Sequence, residues 1–348
     1  MARSSLLDRL PVTPPVLMVR LAIAAVVAQI GIAVTGSVVR VTGSGLGCPT
    51  WPQCNPGSLI PVAHPELLPL HQWVEFGNRL LAVVVVLVSG ACLLAAIAAR
   101  PRRKRLIWLA AAMPLGVVAQ AVIGGITVLA GLAWWSVMPH FLASIVLVWL
   151  AVELVAEARN GGPTTPVVPR AVRALVVVST VVLVALLAAG TLVTAAGPHA
   201  GDSATPRLDI PVPALAQLHA DLLFGYLGLV VGLGFALWAT DAPARVRRRY
   251  WWLVGVVLAQ GALGGIQYGL GVPEVLVSFH VLGAALVTAA AAAVWTSTRS
   301  PIRGTAPIHP ATAPAPATPA PGPGHAPADA EPTTADAPAD GSAVHAQS

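Results

Sequence analysis

The chain has 348 residues, of which 56% are hydrophobic and only 10% charged, with a formal net charge of +6 and a mean hydropathy of +0.77. Ordinary soluble domains carry about 25% charged residues, so a cytosolic enzyme and a disordered scaffold are both excluded. Nucleic acid is excluded as a partner too, because the basic residues stand in short clusters between apolar runs, the pattern of membrane topology.

A bilayer-crossing helix needs about 20 apolar residues. Eight such runs follow in chain order, at 16–39, 72–99, 106–130, 139–157, 172–196, 214–239, 250–271 and 275–297. The first is too long for a signal-peptide core and lacks a small-residue cleavage site, so it reads as a retained span. Of the 20 Lys and Arg, 17 fall on one side of this topology: in the N-terminal segment, in the even-numbered loops and after the last span. Arg40 and Arg207 lie in the opposite loops and Arg79 within the second span. The positive-inside rule then places both termini in the cytoplasm of a multi-pass cell-membrane protein.

The expected organisation is a cytoplasmic segment at 1–15, a first four-helix bundle at 16–157 with an outer loop at 40–71, and a linker at 158–171. A second bundle follows at 172–297. From 298 the chain turns Pro- and Ala-rich, a composition that cannot bury a core and is read as a disordered tail. Its His309, His325 and His345 stand too far apart to suggest a metal site.

The two halves resemble each other. Gln120-Ala-Val-Ile-Gly-Gly-Ile126 returns 140 residues later as Gln260-Gly-Ala-Leu-Gly-Gly-Ile266, and His140 returns as His280. Glu75-Phe-Gly-Asn78 aligns with Ala216-Gln-Leu-His219. A unit of four helices has an even number of crossings, so both copies share one topology. The fold class is therefore all-α: an integral membrane protein of eight transmembrane helices in two same-topology four-helix bundles, an internal tandem repeat.

Ionisable groups inside spans are rare and face the bundle interior. His71, His140, His219 and His280 all stand near the starts of even-numbered spans. In the second half, His219 and His280 lie on different helices and can meet across the core, as two axial ligands of a haem do. Zinc would ask for further ligands, usually cysteine or carboxylate. In the first half His71, Glu75 and Asn78 share one helix face. Two readings of Glu75 stay open: an i, i+4 ion pair with Arg79, or a carboxylate aimed at a substrate while Arg79 pairs an anionic group such as a propionate.

The first outer loop, Thr42-Gly-Ser-Gly-Leu-Gly-Cys48-Pro-Thr-Trp-Pro-Gln-Cys54, has the glycines of a phosphate cradle but no strand before it, so nucleotide binding is not expected. Cys48 and Cys54 are spaced for a disulfide on an oxidising side, either a staple or a redox pair. Cys92, inside the second span, reads as a small buried hydrophobe.

That loop, together with Thr35-Gly-Ser-Val-Val-Arg40, Glu75-Phe-Gly-Asn-Arg79, the duplicated Gln-x-x-x-Gly-Gly-Ile and the span-opening histidines, resembles haem A synthase of a bacterial, actinobacterial-like kind over residues 16–297. The resemblance implies an oxidoreductase that takes the C8 methyl of haem O to the formyl of haem A by two hydroxylations, in the assembly of cytochrome oxidase. It implies a haem B cofactor with His219 and His280 as iron ligands, a substrate site near Glu75 and His140, and a disulfide between Cys48 and Cys54. It also implies a haem O-making farnesyltransferase and a membrane electron donor as partners; a homo-oligomer is compatible with the sequence. Many members have histidine where this chain has Asn78, leaving His140, or His71 seven residues further out, for the substrate iron. Some carry a second cysteine pair in the third outer loop, where this chain has Ala196-Gly-Pro-His-Ala-Gly-Asp202; a relay between two disulfides is excluded, and His199 and Asp202 offer polar contacts instead. The rival expectations are a bis-histidine cytochrome that only carries electrons, and a transporter with the Gly-Gly pairs as hinges.

Overall fold

The computed structural model describes residues 11–62 and 68–302. The histidine-bearing tail lies outside the described residues. Among the described residues the chain forms eight long helices: α1 (Pro15–Val41), α2 (Pro69–Ala98), α3 (Lys104–Leu129), α4 (Trp134–Asn160), α5 (Arg170–Ala196), α6 (Val212–Ala239), α7 (Ala244–Gly269) and α8 (Glu274–Ser297). All but α7 are long and apolar enough to cross a bilayer. In α7 the apolar run is diluted by Arg245, Arg247, Arg248 and Arg249 in its first turns and by Gln260 and Gln267 further along. The chain is a multi-pass membrane protein of all-α class.

Proline marks where these helices begin. It occupies the first or second helical position of α1, α2 and α6 and the N-cap of α5, α7 and α8. Its φ is already helical and its missing N–H is one that a helix start leaves unpaired in any case. The loops after α3 and α7 use one turn twice. Gly131 and Leu132 have φ of +62° and +61°, and Gly271 and Val272 have +76° and +62°. Leu132 N–H bonds the Thr127 carbonyl at 2.9 Å, and Val272 N–H bonds the Gln267 carbonyl at 2.8 Å.

The first four helices close into a ring, α1 on α2 and α4, α3 on α2 and α4. The other four form two tight pairs, α5 with α6 and α7 with α8, which touch each other only sparingly; α8 packs on α1 and α4. The core of the ring lies away from the histidine end, built from Met18, Ala22, Cys92, Ala96, Leu106, Met113 and Leu154. Cys92 is buried and free. At the opposite end from the histidines, Glu157 of α4 meets Arg103 at 3.1 Å and Arg105 at 3.4 Å, and Glu153 also pairs with Arg105.

Two short strands were not foreseen. β1 (Thr164–Pro166), in the segment read as a linker, pairs antiparallel with β2 (Arg299–Pro301), in residues read as the start of the tail. Arg299 donates to the Thr164 hydroxyl at 3.0 Å, and Arg245 to the carbonyls of Ser297 and Arg299. Three-residue strands have no periodicity to read, and only the meeting of two distant segments makes them.

Candidate functional site

His219 lies in the third turn of α6 and His280 in the second of α8. Their ring centres are 6.4 Å apart, with the planes at 63°. Two metal–imidazole bonds of about 2 Å each, added to the depth of two rings, span that distance. His219 Nδ1 lies 3.0 Å from the Leu186 carbonyl. With that nitrogen protonated and donating, the lone pair is left on Nε2, as a metal-ligating histidine requires. Both rings rest on bare backbone. A Cβ at Gly190 of α5 would stand 2.9 Å from His219 Cε1, and one at Gly264 of α7 would stand 3.0 Å from His280 Cε1. The pair thus fits an iron held between two imidazoles. Among the described residues no group of three or more His, Cys, Asp or Glu could hold a metal ion.

The first half contains one histidine in the corresponding place. His140 of α4 lies against Gly124, whose Cβ would be 3.3 Å from its Cε1. Asn78 of α2 is instead bound by Thr35 of α1, whose hydroxyl donates to its side-chain oxygen at 2.8 Å. His71, in the first turn of α2, sits seven residues or about 10 Å further out. Its carbonyl lies under the outer loop, 2.4 Å from where a Cβ at Gly47 would stand, so only glycine fits that position.

Glu75 and Arg79 form an ion pair. Glu75 is only 5% exposed. Its carboxylate accepts from Arg79 Nη2 at 2.6 Å and from the Cys48 N–H at 2.7 Å. Arg79 donates in addition to the carbonyls of Cys48 at 3.0 Å, Thr50 at 3.1 Å and Gln53 at 3.1 Å. A buried carboxylate needs a counter-charge and hydrogen bonds to persist, and here the outer loop supplies what Arg79 does not. That loop is closed by the Cys48–Cys54 disulfide, both sulfurs fully buried. It carries Trp51 onto α3, where a Cβ at Gly125 would come within 2.4 Å of the indole. The loop is therefore seated on the same two helices that carry Glu75 and the Gly-Gly pair.

The third outer loop does offer the polar contacts expected of it. His199 Nε2 is 2.8 Å from the Val272 carbonyl, and Asp202 accepts from Ala204 N–H at 2.8 Å. Arg40 donates to the His199 carbonyl at 2.8 Å, tying α1 to that loop. The sequence did not single out Trp51, Thr35, Gly190 or the Leu186 carbonyl. Trp51 stood inside a conspicuous loop and Thr35 opened the Thr35–Arg40 motif, so either could have been suspected; Gly190 and the Leu186 carbonyl are small or main-chain groups with no signal of their own.

A family model described as COX15-CtaA, cytochrome oxidase assembly protein, matches residues 19–202, more than half of the chain. A heme A synthase of Geobacillus kaustophilus (strain HTA426) is 35% identical over 109 residues, covering 30% of this chain and 32% of that protein. A heme A synthase of Geobacillus thermodenitrificans is 42% identical over 53 residues, 15% of each chain. The matched stretch thus spans about a third or less of the length of these relatives.

Proposed function

The chain belongs to the COX15-CtaA family of cytochrome oxidase assembly proteins, and from that membership we propose that it is a haem A synthase. It converts the C8 methyl of haem O to a formyl group: two hydroxylations give a geminal diol, which loses water. The observation that carries this reading is an asymmetry. One half pairs His219 with His280 at 6.4 Å, whereas in the other Asn78 stands where a second histidine would be and is bound by Thr35. A saturated site suits a resident cofactor and a one-histidine site suits a substrate that must enter and leave. An electron carrier would want both sites saturated.

The two halves are read as a tandem repeat of one topology, with both termini cytoplasmic. Contacts recurring at an interval of 140 residues support the repeat: Gln120 on the His140 carbonyl and Gln260 on that of His280, and the shared positive-φ turn. His219 and His280 would hold haem B, which when bound supplies one-electron transfer. In the first half His140 would face the substrate iron, with His71 and Asn78 bordering the site on α2.

Glu75 is the catalytic candidate, a proton acceptor or a stabiliser of positive charge developing at the methyl carbon. While Arg79 pairs with it, its charge is neutralised. A substrate propionate taking Arg79 would free the carboxylate, so arrival of substrate would arm the base. Haem O is expected from a haem O-making farnesyltransferase, and electrons from a membrane donor.

The test is co-expression with a haem O source in a host lacking haem A, followed by extraction and chromatography of the haems with mass detection. Haem A or a hydroxylated intermediate is the expected result. Haem B alone, with haem O available, would make the protein an electron carrier; no haem at all would leave the transporter.

A further inference from the structure

The duplicated Gln-x-x-x-Gly-Gly motif has a structural role that the haem reading leaves unassigned. In the first half Gln120 Nε2 donates to the His140 carbonyl at 2.9 Å, and in the second Gln260 Nε2 donates to the His280 carbonyl at 2.8 Å. Four residues on, and therefore on the same helix face, Gly124 and Gly264 lie against the edges of those two imidazoles. Each helix thus presents one amide to the histidine's main chain and one bare backbone to its ring.

Two polar atoms in each group are buried without a partner: the glutamine Oε1 and the histidine Nδ1. In the tautomer that leaves Nε2 for a metal, Nδ1 is a donor, and the amide oxygen is an acceptor. Metal-ligating histidines almost always donate that other N–H to an oxygen. His219 does so to the Leu186 carbonyl; neither His140 nor His280 has such a main-chain partner. The surroundings of the amide are shaped to admit it. A Cβ at Gly283, one turn beyond His280, would stand 1.7 Å from Gln260 Oε1, and in the first half Gln120 also donates to the Ser144 hydroxyl.

We propose that Gln120 and Gln260 are positioning residues, each anchoring the backbone of the histidine opposite it and accepting from its Nδ1, so that Nε2 is directed into the bundle. The proposal rests on the haem reading above. It extends that reading by giving the two histidines of α4 and α8 one outer partner of the same chemistry, a neutral amide, while His219 uses a main-chain carbonyl. The motif is then a seat for an iron-binding histidine.

The experiment uses the full chain purified with its haem and the variant Gln260→Met, which keeps side-chain length and removes the amide. Expected are a changed low-spin ferric resonance spectrum, a shifted midpoint potential and haem retention lower by about tenfold, the usual scale for losing an outer partner of a metal ligand. Wild-type haem content, resonance positions and potential in Gln260→Met would overturn the proposal. If that variant does not fold, Gln120→Met decides. Its second-half haem spectrum should match wild type, reporting an intact fold, while haem O added in titration binds about tenfold more weakly; unchanged haem O affinity would overturn the proposal. A wild-type protein without any bis-histidine spectrum would remove the haem reading and this proposal together. A normal wild-type spectrum that Gln260→Met leaves unchanged would remove this proposal alone.

Discussion

Glu75 and Arg79 stand one turn apart on α2 and meet at 2.6 Å, and the hydrogen bonds they make beyond each other all end on the disulfide loop. The pair is therefore a latch as well as a candidate catalytic group. The same loop carries Trp51 onto Gly125 of α3, so it is held on two helices, by the ion pair on α2 and by the indole on α3.

Replacing Glu75 with Gln keeps an acceptor for the Cys48 N–H but leaves Arg79 without an anion. The loss should cost about 2 kcal/mol, the scale of hydrogen bonds to charged groups, read as a lower unfolding temperature in detergent. Haem A yield should fall while the second-half haem stays bound. A stability loss with unchanged yield would make Glu75 a latch and remove it from the chemistry.

The Cys48–Cys54 bridge closes a short loop, which on chain-entropy grounds is worth about 2 kcal/mol. In the native protein both sulfurs are inaccessible, so reduction requires the loop to lift. Glu75→Gln should accelerate reduction by a phosphine, followed by maleimide labelling of the released thiols. Equal reduction rates in wild type and variant would show that the ion pair does not hold the loop.

Gly125 and Gly265 occupy the same place in the duplicated motif, yet alanine should be tolerated at only one. A Cβ at 125 meets the Trp51 indole at 2.4 Å, whereas at 265 nothing lies within 4 Å. Gly265→Ala is expected to be neutral or to stabilise by up to about 1 kcal/mol through helix propensity. Gly125→Ala should expel Trp51 and speed disulfide reduction. Thermal unfolding and thiol labelling of the two variants measure the contrast.

Gly190 allows His219 its position, since a Cβ there would stand 2.9 Å from the ring. Gly190→Val should displace the imidazole and reduce the low-spin haem signal without touching either ligand residue. Replacing His219 or His280 with Ala should abolish that signal. Absorption and resonance spectra of the purified variants read both outcomes.

The sequence by itself determined the eight helices to within a few residues at most of their ends and the place of the four histidines at the starts of even-numbered helices. Those properties are sums along the chain: hydropathy over about 20 residues sets a span, and residue spacing sets a helix face. A two-way choice for Glu75 was also legible, because Arg79 stands at i+4. That the outer loop completes the pair was not, since its partners are the Cys48 amide and the carbonyls of Thr50 and Gln53, main-chain groups that every residue possesses. The same holds for Thr35 on Asn78, Trp51 on Gly125, and the β1–β2 pair. Each depends on which backbone arrives within a few ångströms across the bundle. Tertiary structure alone decided that the second glycine of each identical pair faces an indole in one half and open space in the other.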